Sequence, residues 1–126
     1  MTLIIPCTER FIEALEGFNK SERTSVVKKV RLFMANPTSK SLKVHRYMAI
    51  DNVWEFYVDR RMRVLFERLE GQLHLTDVGF HAILQKACRY RYISYTHVLY
   101  LDEDEYYYSP GQNSLATVTE TPIALF

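Results

Sequence analysis

Four residues in the middle of the chain carry side chains suited to a phosphate-bearing substrate: Lys43, His45, Arg63 and His81. The planar guanidinium of Arg63 offers a fixed fork of donors that fits a phosphate, and fits equally a structural ion pair with Glu55 or Glu67. His81 carries an imidazole, which titrates near neutrality and can serve as acid or base, or stand as an ordinary histidine at a turn. Lys43 and His45 alternate along one stretch, so they share a strand face that either holds a nucleic-acid backbone or meets solvent. Lys86, Arg89, Tyr90, Arg91 and Tyr92 mix cations with rings, the pattern of a single-strand binder or of the wet side of an amphipathic helix. The sequence has no Gly-rich phosphate loop and no Ser/His/Asp or Cys/His arrangement. His74 and His81 have no cysteine pair beside them, so neither a metal nor a cofactor is expected. Cys7 and Cys88 read as buried thiols.

The stretch that must position these groups is Trp54 to His81. Trp54, Phe56 and Val58 alternate with Glu55 and Tyr57, the period of a sheet with one buried face, and Trp54 and Phe56 read as core. After a polar turn at Asp59–Arg61, Val64 and Phe66 point one way and Arg63, Leu65 and Glu67 the other. Glu70 and Gly71 turn the chain again into a third strand that ends in a loop delivering His81. Loops this short join antiparallel neighbours, so a meander is predicted.

Upstream, Leu3–Ile5 reads as a first strand at a sheet edge, stopped by Pro6. Thr8 then caps a helix whose stripe is Phe11, Ile12, Leu15 and Phe18. Ser21, with Glu22 behind it, caps a second helix with Val26, Val27, Val30, Phe33 and Met34 on one side, ended by Asn36 and Pro37. The two helices are expected to form an antiparallel hairpin over one face of the sheet. Residues 41–48 read as a strand with Leu42 and Val44 on one side and Lys43, His45 and Tyr47 on the other. Ile83, Leu84, Ala87 and Cys88 have helical spacing, and Tyr95 to Leu101 alternates weakly as one more strand. From Asp102 onward an acidic cluster, three consecutive tyrosines and a polar stretch are expected to be extended or mobile.

With 126 residues, 48% of them apolar and 13% aromatic, the chain has room for one domain with a real core. No apolar run is long enough to cross a membrane and the start does not read as a signal peptide, so a cytoplasmic location is expected. The formal charge of +1 hides an asymmetry: residues 1–100 carry +6 and residues 101–126 carry −5. The basic body suits an anionic partner or is ordinary solvated charge. An acidic cluster at 102–105 that folded back over Arg63 would mimic phosphate; a plain solubilising tail is the other reading.

The order strand, helix, helix, antiparallel strands resembles the RelE/ParE toxin superfamily of bacterial type II toxin-antitoxin systems. The segment ANPTSKSLKVH resembles that family's second-helix exit and following strand, VWEFYVDRRMRVLFE its central hairpin, and LHLTDVGFH its last strand and catalytic tail. The resemblance covers roughly residues 2–90. It implies an α+β fold with an antiparallel sheet of four to five strands and an N-terminal helical hairpin on one face. It implies a toxin-like domain over residues 1–92, with residues 93–126 as an acidic, Tyr-rich extension.

In function, the resemblance implies a metal-independent endoribonuclease that cleaves mRNA at the ribosome and is neutralised by a cognate antitoxin. The alternative is a non-catalytic binding module of the same fold, such as a gyrase inhibitor. Arg63 matches the family's phosphate-holding arginine and His81 the histidine that some members carry after the last strand. Glu55 stands where the best-known ribonucleases have a lysine, so either it acts as a base or phosphate affinity is lost. Tyr57 likewise replaces a lysine, and Gly79 stands where certain relatives have another arginine. The predicted catalytic set is therefore Arg63, His81 and Glu55, with Lys43, His45, Arg46, Arg60 and Arg61 along the RNA backbone.

Overall fold

The computed structural model describes residues 2–47, 50–84, 92–103 and 105–110. Strand β1 (Thr2–Cys7) leads into helix α1 (Glu9–Gly17) and helix α2 (Lys20–Ala35); a 3₁₀ turn (Lys40–Leu42) precedes β2 (His45–Arg46). The meander β3 (Trp54–Tyr57), β4 (Met62–Leu69) and β5 (Gln72–Phe80) follows, then the single-turn α3 (His81–Leu84), β6 (His97–Asp102) and β7 (Glu105–Pro110). All the strands join one mixed sheet in the order β2-β3-β4-β5-β1-β6-β7.

The β3–β4 hairpin is as the alternation predicts, whereas in β5 a register shift opposite Leu65 and Phe66 breaks the period and Val78 joins Leu73 and Leu75 in the main core. Phe56 pairs with Val64 and Glu55 with Leu65 across β3 and β4. The β4–β5 turn places Glu70 at φ 54° and Gly71 at φ 77°, the double left-handed geometry whose twist suits a two-residue hairpin. At the β3–β4 turn the Asp59 carboxylate accepts from the Arg61 and Met62 amides, each at 2.8 Å, so a side chain closes the loop.

Both helices start on the residues that can cap them. Thr8 Oγ1 accepts from the Phe11 amide at 2.9 Å and donates to the Thr76 carbonyl at 2.6 Å, tying α1 to β5. Thr8→Ala is therefore expected to cost about 1–2 kcal/mol, because it leaves an amide at the helix start without its acceptor and breaks a buried tie; a urea midpoint measures it. For α2 the cap is Asn19 rather than the expected Ser21. Asn19 and Glu22 exchange side-chain bonds with each other's amides at 2.8 and 2.9 Å, a complete capping box.

One face of the sheet is sealed by α1 and α2. Phe11, Leu15, Val26, Val30 and Phe33 join Phe56, Val64 and Phe66 in the main core. Phe33 stacks on Phe56 with centroids 5.0 Å apart and meets Phe66 at 4.7 Å, which fastens α2 to β3 and β4. Cys7 is buried here, and burial raises its thiol to about 12, as expected of an inert core cysteine; Cys88 lies outside the described residues.

Several expectations need correction. The sheet has seven strands rather than four or five. β1 is interior: it pairs parallel with β5 and along its whole length with β6, so Pro6 does not mark an edge. Residues 41–47 do not form a strand beyond His45–Arg46, and residue 48 lies outside the described residues. Leu42 closes a 3₁₀ turn and Lys43 sits at φ 48°, which breaks the alternation and leaves Val44 exposed while Tyr47 is buried. Trp54 is 39% exposed rather than core, whereas Phe56 is fully buried; Trp54 stands at the rim of a groove of about 400 Å³ beside Phe33, Val44 and Phe66. His81 opens α3 instead of sitting in a loop, and the helical spacing expected for residues 87 and 88 falls outside the described residues. Residues 105–110, expected to be extended or mobile, are extended, in a strand whose Tyr106 and Tyr108 hydroxyls donate to Glu16 of α1 at 2.7 and 2.8 Å. These two donors hold the Glu16 carboxyl below its ordinary value. Residues 111–126 lie outside the described residues. The acidic turn does not reach Arg63: three strands separate β7 from β4, and Glu105 instead lies near Lys20 and Arg23 of α2.

Candidate functional site

On the face away from α1 and α2, cross-strand register brings five of the chemically able residues together. His45 lies opposite Glu55, Tyr57 opposite Arg63, and Lys43 sits just before β2. The His45 Nε2 contacts the Glu55 carboxylate, and the His45 Nδ1 lies 2.7 Å from the Lys43 carbonyl. A carbonyl only accepts, so Nδ1 carries a proton, and a second proton is shared between Nε2 and Glu55. Glu55 is 4% exposed while the His45 side chain is 46% exposed. The pair is thus a half-exposed imidazole backed by a buried carboxylate, an arrangement that can store and release a proton.

Tyr57 is the platform of the cluster. The Arg63 guanidinium lies 3.4 Å from its ring centroid, the Lys43 ammonium 5.4 Å, and the His45 ring meets it edge-on at 5.8 Å. Arg63 is buried and pairs with neither Glu55 nor Glu67. One terminal nitrogen donates to the Asp59 and Met62 carbonyls at 2.8 and 3.2 Å, and its Nε is buried without an acceptor. An unmet donor on a buried cation is costly unless an oxygen arrives to meet it.

The other predicted residues lie at the margin. Arg63 faces Gly79 across β4 and β5, and His81 follows two positions later, exposed, with its amide donating to the Arg61 carbonyl at 2.9 Å. A Cβ at Gly79 would stand 3.5 Å from the Leu84 side chain of α3, an ordinary packing contact. Arg60 and Arg61 are exposed in the β3–β4 turn, Arg61 lying 5.7 Å from the Phe80 ring centroid. Arg46 faces Asp51 at 3.8 Å, both in solvent. Residues 86 and 89–91 lie outside the described residues, and Tyr92 is exposed. Among the described residues no group of His, Cys, Asp or Glu could hold a metal ion.

A second polar group on the same face was not foreseen. Glu67 is buried opposite His74, and the Tyr95 hydroxyl donates to it. Having spent its proton there, Tyr95 accepts from Thr76 Oγ1 at 2.8 Å. Burial raises the Glu67 carboxyl above 4.5, against the lowering effect of the Tyr95 bond, and burial lowers the His74 imidazole below 6.5. Glu67 binds its proton more tightly folded than unfolded, so its contribution to stability is complete below pH 4.5 and is lost as pH rises through the folded value. Glu67→Gln is therefore expected to gain stability relative to wild type at pH 7 and to lose that advantage toward pH 4, read from paired urea melts. His74 works in the other direction: its neutral form stabilises the fold above pH 6.5, and that stability is lost as pH falls through its lowered folded value.

Set against solved structures, the chain superposes on crystal structures of YafQ from E. coli strain BL21(DE3), with TM-score 0.56 and 15% identity over 64% of this chain and 94% of that one. The chain has the fold of the YafQ toxin. It matches an E. coli DinJ-YafQ toxin-antitoxin complex at TM-score 0.55 and 14% identity, over 64% of this chain and 93% of that one. A copper-bound point mutant of a toxin from Helicobacter pylori follows at TM-score 0.50 and 18% identity, over 64% and 96%. The match spans nearly all of the YafQ chain but leaves over a third of this one outside it. No family model matches the sequence, and no curated protein matches it either. Among the described residues, no helix is long and apolar enough to cross a membrane.

Proposed function

We propose that this chain is the toxin of a type II toxin-antitoxin pair, acting in the cytoplasm as a metal-independent endoribonuclease on ribosome-bound mRNA. The observation that carries the reading is the His45–Glu55 pair beside two cations, Lys43 and Arg63, that rest on one tyrosine ring. Cleavage needs only such groups, since the nucleophile belongs to the substrate. The His45–Glu55 pair, once the proton held between Nε2 and the carboxylate has left to solvent, takes the proton of the ribose 2′-hydroxyl as the 2′-oxygen bonds to phosphorus. The bond to the 5′-oxygen breaks, and that oxygen takes a proton from His81. The bound Lys43 carbonyl keeps Nδ1 protonated, so Nε2 is the atom that exchanges protons. The free Nε–H of Arg63 is supplied with an acceptor by a phosphate oxygen. Lys43, Arg46, Arg60 and Arg61 line the path of the backbone. The likeness to YafQ in complex with DinJ supports an antitoxin as partner, and in this reading residues 1–92 are the toxin-like unit.

Expression of wild type, Arg63→Ala and Glu55→Gln in cells, with primer extension on translated messages, tests the reading. Growth arrest and new 5′ ends in wild type alone support it; equal growth and intact transcripts in all three remove it. The burial of Arg63 favours a second reading, in which the same face binds a protein such as gyrase without cutting RNA. Loss of supercoiling with purified gyrase, with transcripts intact, would select that alternative.

A further inference from the structure

Beside the His45–Glu55 pair, the sheet face stops being open. Leu65, directly opposite Glu55, is fully buried under Tyr47, Val53, Leu84, Ile93 and Tyr95. Residues 92–96 therefore run as a strap over β4 and β5 on the face that bears the candidate site. Ile93 is 2% exposed and Tyr95 1%.

How the strap is held differs from how α1 and α2 are held. The helices sit on an apolar core, whereas Tyr95 enters a polar group: its hydroxyl joins Glu67 and Thr76, and its ring meets that of His74 edge-on at 4.9 Å. No cation is paired with Glu67 among the described residues, so the Tyr95 hydroxyl is what makes burial of that carboxyl tolerable while the strap is down. Water can satisfy Glu67, His74 and Thr76 once the strap lifts. The apolar contacts of Ile93 and the Tyr95 ring have no such substitute, so the Tyr95 hydrogen bonds are the part of the hold that a single hydroxyl controls.

We propose that Tyr95 is a specificity-determining residue: by locking the strap to Glu67 and Thr76 it fills the half of the face next to His45 and Glu55. RNA is thereby confined to the corner formed by β2, β3 and the start of β4. The inference rests on the proposed RNA-binding role of that face and deepens it, by stating that the substrate is a short single-stranded stretch bent away at Leu65. Tyr95 acts through the strap and touches no reacting atom.

Tyr95→Phe removes only the hydroxyl, and Glu67→Gln retains an acceptor for it. Hydrogen exchange read peptide by peptide should speed up about tenfold or more over residues 92–96 in Tyr95→Phe. Peptides from β1 and α2 should be unchanged, and Glu67→Gln should stay near wild type. Binding is then measured with 2′-O-methyl oligouridines of graded length, which cannot be cut. Wild type should reach its full affinity at a shorter length than Tyr95→Phe. Unchanged exchange at 92–96, a uniform rise over the whole chain, or faster exchange with the same length dependence would each overturn the proposal. Binding without cleavage of ordinary RNA would defeat the nuclease reading while the length dependence still decides this one. Absence of binding in both chains would defeat both.

Discussion

Cells expressing His45→Ala are expected to grow as uninduced cells do, and the purified variant to cleave RNA about 10²–10⁴-fold more slowly than wild type. The size of the effect follows from position. His45 is the half-exposed member of the pair, and its Nε2 is the atom through which Glu55 can exchange a proton with anything in solvent. Truncation to alanine removes that route and leaves a buried carboxylate facing an empty corner. Glu55→Gln leaves the imidazole in place but withdraws the store of negative charge, so its loss should be similar in cleavage and smaller in RNA affinity. A binding role alone would give the reverse, with affinity lost and the rate at saturating RNA kept. Single-turnover rates measured alongside equilibrium binding separate the two.

The largest expected effect on stability lies on the opposite face. Phe66 is 2% exposed and its ring meets both Phe33 and Phe56, at 4.7 and 5.7 Å between centroids. Phe66→Ala removes the piece on which α2, β3 and β4 all rest, and a loss of about 3–5 kcal/mol is expected. Domains of this size hold about 5–15 kcal/mol in all, so the variant should be partly unfolded at modest urea. Trp54, the single tryptophan, lines the neighbouring groove and gives the fluorescence signal for the melt. Phe66→Leu should lose markedly less, since most of the volume is kept.

What could be read from the sequence was whatever repeats over a few residues. The faces of β3 and β4 follow from alternation, and Val64 and Phe66 do oppose Arg63, Leu65 and Glu67 in the structure; in β5 a bulge at Thr76 breaks the period, so Val78 shares the core with Leu73 and Leu75. Thr8 is a cap because its side chain reaches three residues ahead. What escaped depends on partners distant in the chain. Nothing in Leu3–Ile5 announces that β6 will lie beside it, so an interior strand passes for an edge. β7 has no alternation because both its faces find hydroxyl or ring partners, Glu16 on one side and Tyr100 on the other. Trp54 obeys the parity of its strand, but parity does not tell how far α2 extends to cover it. At the candidate site the residue types were visible, whereas the pairing of His45 with Glu55 needed a cross-strand register that a two-residue β2 could not advertise. Tyr95 carried no local signal, since its meaning comes from Glu67, 28 positions away.

The interior position of β1 bears on how the molecule comes into being. Thr2–Cys7 leaves the ribosome before both of the strands it pairs with, so one of its flanks waits for β5 and the other for His97–Asp102. Contacts between segments so far apart close late, because the intervening chain must first be ordered. Throughout that interval an apolar strand with unpaired amides and carbonyls is on offer to neighbouring nascent chains. The protein's output in a cell would then depend on how quickly the stretch from β5 to β6 is translated, and a pause placed there would raise the share lost to aggregation.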